Sequence, residues 1–266
     1  MSTASKRPVR KKIRITDNPD DIKIEEPKKW FPENFHEIYD NIKIMRTWVK
    51  APVDTMEGNI DDRLDGPDER FLILFSLMIS SRTRDTLNIS VMKRMKENGL
   101  NLQYVLDIPE NKLAEQIKPV NFYKTKAKNL KKSALMLVEK FNGDIPKTIE
   151  ELCELPGVGP KMGYLCLQAA WDITVGIGVD THVHRLANLF NWVRKPTKES
   201  EDTRKELESW LPIELWEELN LNLVGFGQTI CNPYKPKCDE CLNNKICPGA
   251  FTHKVRKSPK KSSPKK

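Results

Sequence analysis

Apolar residues recur at three- and four-residue steps along most of this chain, and this spacing constrains the fold more than any other feature. Two clear examples are the series Phe35, Ile38, Ile42, Met45, Val49 and the series Ala127, Leu130, Ala134, Leu137, Val138, Phe141. Residues 71–79, apolar except for Ser76, predict a buried central helix, although periodicity alone leaves a strand open. No run of alternating apolar and polar residues indicates a sheet. The sequence therefore predicts an all-α protein.

Positive charge is concentrated at the two ends of the chain. Residues 1–14 hold six Lys and Arg residues and residues 254–266 hold seven, with no acidic residue in either stretch, so the rest of the chain carries a net charge of about −5. Basic ends of this kind add salt-sensitive affinity for phosphates or serve as nuclear-import signals. They are equally typical of disordered tails that only improve solubility. A specific nucleic-acid site must be sought in the body of the chain.

The apolar segments exclude two other classes of protein. The longest apolar run is too short for the roughly 20 residues that a membrane-spanning helix needs, so no membrane role is expected. The charged N-terminal stretch is followed by no apolar segment, which excludes a secretory signal.

Four of the six cysteines form a compact pattern near the C-terminus. Cys231, Cys238, Cys241 and Cys247 give the spacing C-x6-C-x2-C-x5-C. Four thiolates this close together can enclose one metal centre, and spacing alone puts structural zinc first while allowing an iron–sulfur cluster. The remaining two, Cys153 and Cys166, are typical of small buried residues.

The segment "LPGVGPKMG", residues 155–163, predicts a tight hairpin between two helices. Thr148 followed by Glu151 is a capping box, so a short helix should begin there and run to about Glu154. Gly157 and Gly159 should provide unusual backbone angles, and Pro160 suits the first position of the next helix. Free backbone N–H groups at such a hairpin, with a helix N-terminus behind them, form a phosphate site.

Lys161 and Asp180 each fall at the start of a helix. The helix dipole and partial burial would lower the pKa of a lysine amine at this position and increase its nucleophilic fraction, whereas the simpler interpretation is a surface lysine after a turn. Asp180 precedes an apolar stripe (Val183, Leu186, Ala187, Phe190) and is therefore expected to cap that helix. A lysine and a carboxylate at two successive helix starts can also face one cleft, as a nucleophile and its charged partner.

The motif "LPGVGPK" followed by "VDTHVHR" resembles the helix-hairpin-helix DNA glycosylases, and in particular the endonuclease III branch. The resemblance extends from about Phe71 to Pro248. It implies two helical domains with a DNA-binding groove between them. It also implies that Lys161 attacks C1′ of a damaged nucleotide flipped out of the duplex and that Asp180 assists. Adenine-excising relatives typically lack this lysine, so the resemblance favours a bifunctional glycosylase and lyase.

The resemblance also assigns a cofactor and DNA contacts. It places a [4Fe-4S] cluster on the four cysteines in preference to zinc. In "NFYKTKAKNL", Phe122 resembles the wedge residue that the family presents to the duplex, and "MISSRTRD" resembles the stretch that fills the gap left by the extruded nucleotide. The family usually has glutamine where this chain has Arg82, which can enter the base stack or contact phosphate. The full set of expected DNA contacts is Arg82, Phe122, Gly157, Val158, Gly159, His182, Lys235 and Lys237.

These observations lead to one principal expectation with two alternatives. We expect a bifunctional DNA glycosylase and AP lyase that removes oxidised pyrimidines in base-excision repair, acting as a monomer on double-stranded DNA with a damaged pyrimidine or abasic site. The alternatives are a non-catalytic helix-hairpin-helix DNA-binding module with a structural metal site, and a monofunctional glycosylase. The basic ends favour the nucleus, with the mitochondrion as a further location.

The expected domains comprise four parts. They are a disordered basic tail (1–28), a cluster-bearing helical domain (29–61 with 186–250), a central helical domain with the hairpin (62–185) and a second disordered basic tail (251–266).

Overall fold

The computed structural model describes residues 30–54 and 66–252, and the structural statements below concern these residues. Their regular structure consists of α-helices and short 3₁₀ turns, and this part of the chain contains no β-strand. The all-α prediction is confirmed. The expected disordered tails lie outside the described residues, apart from Phe251 and Thr252. No helix in the described ranges is long and apolar enough to cross a bilayer.

Eleven helices have both ends within the described ranges. They are α1 (Phe35–Arg46), α2 (Pro67–Ser80), α3 (Asp85–Glu97), α4 (Leu102–Asp107), α5 (Glu110–Gln116), α6 (Tyr123–Phe141), α7 (Ile149–Glu154), α8 (Pro160–Trp171), α9 (Thr181–Leu189), α10 (Ser200–Glu208) and α11 (Trp216–Thr229), with 3₁₀ turns at Ile213–Leu215 and Cys238–Glu240.

The first hydrophobic core is built around α2, which packs against α3, α6 and α8. The helix is apolar almost all round and its buried residues are Phe71, Leu72, Ile73, Leu74, Phe75, Met78 and Ile79. A helix with this pattern must be enclosed on several sides, and α3, α6 and α8 provide that enclosure. The prediction of a buried central helix over residues 71–79 is confirmed.

The second hydrophobic core joins α1 to the helices after residue 176. Helix α1 packs against α11, and α9 packs against both α10 and α11. Three aromatic rings meet at its centre, where the Phe35 ring lies 4.9 Å, centroid to centroid, from the rings of both Trp192 and Trp210. Each edge-to-face pair of this kind stabilises the fold by about 0.5–1.5 kcal/mol beyond the contribution of its buried apolar area.

The chain passes from the first core to the second between Ile173 and Ile177. Val183 therefore packs in the second core, although the expected domain boundary after residue 185 placed it with the central helices. Side chains also link the cores, since Gln228 of α11 donates to the Asp85 carboxylate at the start of α3 at 2.6 Å. The start of α3 is thereby tied to α11 of the second core.

Two residues of the apolar stripes depart from the predicted pattern. Helix α1 ends at Arg46, so Val49 lies beyond it and is exposed. Val138 lies within α6 but also faces solvent, because the buried face of that helix follows Leu130, Ala134 and Leu137.

Candidate active site

The hairpin between α7 and α8 follows the local signals in its sequence. The Thr148 hydroxyl accepts from the Glu151 backbone N–H at 3.3 Å and donates to the Glu151 carboxylate at 2.8 Å. The N-cap at Thr148 is confirmed, whereas the Glu151 carboxylate accepts from the Thr148 hydroxyl in place of the backbone N–H that a full capping box uses. Gly157 has φ +89°, and an added Cβ would lie 2.5 Å from Nδ2 of Asn129. Gly159 has φ −113°, so the expectation of an unusual backbone angle is correct for Gly157 and wrong for Gly159.

Free backbone amides cluster at the start of α8. The N–H groups of Gly157, Gly159, Lys161 and Met162 donate to no acceptor in the described residues, which is expected before the first helical hydrogen bond, from Gly163 to the Gly159 carbonyl. Val158 differs, because its side chain is buried and its N–H donates to the Leu155 carbonyl at 3.0 Å. An added Cβ at Gly159 meets nothing within 4 Å, so the hairpin is open to a ligand.

The Lys161 side chain is exposed and makes no hydrogen bond or ion pair with the described residues. The partial burial expected for it is therefore wrong. Helix α8 has no acidic residue in its first turn, so no neighbouring carboxylate of its own helix neutralises this amine. Lys161 therefore leaves an unpaired amine at a helix N-terminus, where the helix dipole favours an acidic residue.

Asp180 is the N-cap of α9, as predicted. Its Oδ1 accepts from the backbone N–H groups of His182 and Val183, each at 2.8 Å. The other carboxylate oxygen, Oδ2, has no hydrogen-bond partner among the described residues. The residue is half-buried, so a fixed negative charge stands at the start of α9 with one oxygen available.

His182 marks the place where these groups come together. Burial lowers the pKa of its imidazole; Asp180 and Asp85 oppose the change, while Arg185 and Lys161 reinforce it. Its Nδ1 is buried and lacks a hydrogen-bond partner in the described residues. The ring lies so close to α11 that a Cβ at Gly227 would stand 2.5 Å from Nδ1. His182 is thus packed in the fold, and its contact with DNA stays a prediction.

Arg82 and Phe122 form a second exposed feature of the same face of the first core. Both have left-handed backbone angles, with φ values of 52° and 57°, which non-glycine residues adopt at a cost. The Arg82 guanidinium lies 5.8 Å from the centroid of the Phe122 ring, and the Phe122 side chain is 61% exposed. The two side chains line a cavity of about 250 Å³ together with Met78, Ser81, Thr125, Lys126, Asn129 and Gly157. The cavity therefore adjoins the hairpin.

The four predicted cysteine ligands line one small, largely apolar cavity. Burial raises the pKa of the Cys231 and Cys247 thiols and raises that of Cys241 to about 11. Arg185 of α9 donates to the Cys231 carbonyl at 2.6 Å and to its Sγ at 3.5 Å. Among the described residues no three His, Cys, Asp or Glu side chains are gathered tightly enough to bind a single metal ion.

The two predicted phosphate-binding lysines lie in the loop between the first two cysteines. Lys235 is exposed and makes no ion pair with the described residues. Lys237 is exposed and pairs with Glu240, with 3.6 Å between Nζ and Oε2. Its backbone N–H donates to the Ile230 carbonyl at 2.9 Å, which closes the loop next to the cysteine cavity.

Comparison with known proteins supplies the family. Residues 75–212 match the model of the HhH-GPD superfamily base excision DNA repair proteins. The chain belongs to this family. It is 45% identical over 224 residues to endonuclease III-like protein 1 of Gallus gallus, a match that covers 84% of this chain and 80% of that one. It is 50% identical over 229 residues to the endonuclease III homolog of Schizosaccharomyces pombe, covering 84% and 64%.

Solved structures of the HhH-GPD family resemble the fold. A trapped endonuclease III–DNA covalent intermediate matches with a TM-score of 0.70 and 25% identity over 82% of this chain and 96% of that one. A thermostable thymine-DNA glycosylase matches with a TM-score of 0.62 at 21% identity, which bears on the fold alone. The sequence-based assignment to the endonuclease III branch is confirmed.

Three residues that shape the site of this HhH-GPD chain were not predicted from its sequence. Asn129 packs against Gly157, and Arg185 links α9 to Cys231. Lys126 is buried beneath the turn that carries Arg82. A signal for Lys126 was present, because it shares the helical face of Leu130, Ser133 and Leu137, where a lysine is out of place. Asn129 and Arg185 gave no such signal.

Proposed function

We propose that this chain is a bifunctional DNA glycosylase and AP lyase that removes oxidised pyrimidines, with Lys161 as its nucleophile. The membership of the HhH-GPD family and the resemblance to endonuclease III support the reaction class. The observation that carries the assignment of roles is a free amine at the start of α8 and a free carboxylate oxygen at the start of α9, both close enough to His182 to change its pKa. Simple DNA binding requires neither group.

In the proposed reaction the neutral amine of Lys161 attacks C1′ of the flipped nucleotide. The bond from C1′ to the base breaks, and the base leaves with the electron pair and takes up a proton. The attacking amine loses one proton, and the negative charge of Asp180 stabilises the positive charge that develops on the sugar. The bond from C1′ to the ring oxygen O4′ then breaks, O4′ takes up a proton, and C1′ and the lysine nitrogen form a protonated Schiff base. Loss of a proton from C2′ then breaks the bond from C3′ to its oxygen, and water releases the lysine.

The proposed DNA contacts divide into two kinds. The free amides of Gly157, Gly159 and Lys161 bind a phosphate without side-chain charge, which suits a body of net negative charge. Arg82 and Phe122 enter the duplex, and Lys235 and Lys237 contact phosphate. Val158 supports the hairpin from within, since its own N–H is occupied.

We further propose that Cys231, Cys238, Cys241 and Cys247 hold a [4Fe-4S] cluster that stabilises the loop around them. A single tetrahedral zinc ion would bring the four sulfurs to about 2.3 Å from one point. The four cysteines line one largely apolar cavity, which suits a cluster held by one thiolate on each iron, and the resemblance to endonuclease III favours this group over zinc. Iron, acid-labile sulfide and zinc content of the purified protein would test this, and stoichiometric zinc without iron would contradict it.

The deciding experiment traps the covalent intermediate. The protein is incubated with a duplex containing thymine glycol and borohydride, which reduces a Schiff base to a stable cross-link. We expect a cross-link in the wild type and none in Lys161→Ala, while Lys161→Ala keeps its affinity for the damaged duplex. Lys147→Ala, which removes a lysine next to Trp171 and away from the hairpin, serves as the control and should cross-link normally.

Other outcomes would favour the alternatives. Base release without a cross-link would indicate a monofunctional glycosylase. Neither base release nor a cross-link, from folded and metal-loaded protein, would indicate a non-catalytic DNA-binding module. We also propose that the protein acts as a monomer and, given its basic ends, in the nucleus, with the mitochondrion as a further location. Fluorescent fusions with and without residues 1–14 and 254–266 would test the location.

A further inference from the structure

Lys126 is a buried lysine whose partners are neutral oxygen atoms. Its side chain is on α6, and the residue is 8% exposed. The Nζ donates to the Ile79 carbonyl at 2.7 Å, the Ser81 carbonyl at 2.6 Å and the Thr83 hydroxyl at 3.0 Å. Burial lowers the pKa of this amine to about 8, because the protonated, charged form is less stable away from water. A lysine in this environment persists when all three of its donors are needed.

The oxygens that bind Lys126 belong to the turn that carries Arg82. Two of them, from Ser81 and Thr83, flank Arg82 on either side. The turn follows the end of α2 and holds Arg82 at φ 52°, a conformation that its surroundings must enforce. Asn121 adds a third restraint by donating from its side chain to the Arg82 carbonyl.

The same lysine is also linked to Phe122. The backbone N–H of Lys126 donates to the Phe122 carbonyl at 3.0 Å, the first helical hydrogen bond of α6. Lys126 thus joins the Arg82 turn, through its side chain, to the Phe122 position, through its backbone. All three residues line the cavity next to the hairpin.

We propose that Lys126 is a positioning residue that fixes Arg82 and Phe122 relative to each other, and that it thereby controls how readily the protein extrudes a base that is still paired. The proposal rests on the proposed function, because Arg82 and Phe122 must enter the duplex. Side chains that unstack bases act only when held rigidly, and a displacement of about 1 Å can reduce a rate by two orders of magnitude. The need is greatest for a paired base, which costs more to flip than an unpaired one.

The chain contains a matched control on the same helix. Lys131 donates from Nζ to three carbonyl oxygens, those of Val105, Leu106 and Ile108, at 3.0, 2.7 and 2.8 Å. These oxygens belong to the last residues of α4 and its C-cap, and among the described residues no hydrogen bond links Lys131 to the Arg82 turn or the hairpin. Replacing Lys131 by methionine removes the same kind of interaction without altering the positions of Arg82 and Phe122.

The test compares one lesion in two contexts under single-turnover conditions. Thymine glycol is placed opposite adenine, or opposite an abasic-site analogue that leaves the lesion unpaired. We expect Lys126→Met to slow base release from the paired lesion about tenfold or more, and from the unpaired lesion about twofold or less. Lys131→Met should leave the ratio of the two rates at its wild-type value. Thr83→Val removes one acceptor of the Lys126 amine. It should lower the ratio of the paired-lesion rate to the unpaired-lesion rate, but by less than Lys126→Met does.

Two further outcomes are decisive. A wild-type rate ratio in folded Lys126→Met, or an equal change in Lys126→Met and Lys131→Met, would overturn the proposal. If Lys126→Met does not fold, the ratio in Thr83→Val decides. Hydrogen exchange of the amides of residues 81–84 tests the positioning independently of activity, and faster exchange is expected in Lys126→Met alone. A wild-type protein that releases thymine glycol from neither duplex would refute the proposed function. Unchanged hydrogen exchange of residues 81–84 in Lys126→Met would refute the positioning role of Lys126.

Discussion

Asp180 combines two roles at the scale of a single residue. One oxygen caps α9 through two backbone N–H groups, and the other oxygen has no hydrogen-bond partner among the described residues. A capping side chain and a catalytic charge make different chemical demands, since asparagine caps a helix about as well as aspartate but carries no charge. The two roles of Asp180 can therefore be separated by choice of substitution.

We predict that Asp180→Asn keeps the stability of the fold and slows base release, whereas Asp180→Ala also loses the cap. The expected rate loss in Asp180→Asn is about a hundredfold, because the charge that opposes the developing cation is gone. The expected loss of unfolding free energy in Asp180→Ala is about 1 kcal/mol. Single-turnover base release and urea unfolding measure the two effects. Normal base release in a stable Asp180→Asn protein would leave the residue as a cap only.

His182 gives a pH-dependent prediction at the same scale. Its pKa in the folded protein lies below the usual histidine value of about 6.5 because the imidazole is buried. As the pH falls through 6.5, the unfolded chain takes up a proton that the folded protein does not, so the free energy of unfolding should decrease. Stability should continue to fall until the pH drops below the folded-state pKa.

Urea unfolding at a series of pH values would measure this contribution. We expect His182→Gln to have a flatter dependence of unfolding free energy on pH below 6.5 than the wild type. His36→Gln removes an exposed histidine and should retain the wild-type slope. The same slope in the wild type and in His182→Gln would contradict the prediction.

At the scale of the element, the hairpin between α7 and α8 uses its two glycines differently. Gly157 has a positive φ and lies against Asn129, so glycine is required there both by the backbone conformation and by the lack of space for a side chain. Gly159 has an ordinary φ and open space beside it, so the fold itself tolerates a side chain there, and we attribute the glycine to the close approach of a phosphate to the amides. Substitutions at Gly157 should therefore affect the stability of the fold, whereas substitutions at Gly159 should affect DNA binding.

We predict opposite effects for alanine at these two positions. Gly157→Ala should lower the unfolding free energy by about 1–2 kcal/mol, because a side chain is strained at this φ and collides with Asn129. Gly159→Ala should leave stability within about 0.5 kcal/mol of the wild type and weaken DNA binding. Thermal unfolding and the affinity for an undamaged duplex measure the two effects. Full DNA affinity in Gly159→Ala would argue against a phosphate at the hairpin amides.

Local signals in the sequence predicted these elements well, and long-range contacts account for what they missed. The N-cap at Thr148 and the cap at Asp180 depend on residues within three positions, so they can be read directly from the sequence. The burial of Lys126 depends on oxygens 43 to 47 residues away, although its place on an apolar face gave a hint. The exposure of Val138 likewise depends on which helices cover α6, and periodicity does not specify that.

At the scale of the whole molecule, the described helices form two hydrophobic cores, and the predicted catalytic residues lie near the crossing between them. Lys161 begins a helix of the first core and Asp180 begins a helix of the second. Their relative position therefore depends on contacts between the cores, such as the hydrogen bond from Gln228 to Asp85. The site is a property of the assembled fold, and neither helix carries it alone.

The positive charge of the chain lies mainly at its two ends, whereas the proposed catalytic residues and the hairpin lie in the folded body. The basic ends hold thirteen Lys and Arg residues, while the rest of the chain has a net negative charge. Phosphate contacts by lysine and arginine make DNA affinity fall steeply with salt, by a slope of about 0.9 per contact in a log–log plot. Contacts through backbone amides release fewer counterions, so the ends should dominate the salt dependence and the hairpin should not.

We predict that removing residues 1–14 and 254–266 reduces the slope of log affinity against log salt for duplex DNA. Base release from DNA-saturated protein should remain within about twofold of the wild type, because Lys161, Asp180 and the hairpin are untouched. A full-length variant with the same thirteen residues changed to glutamine separates charge from chain length and should behave like the truncated protein. An unchanged salt slope in both variants would assign the basic ends to solubility alone and leave DNA binding to the folded body.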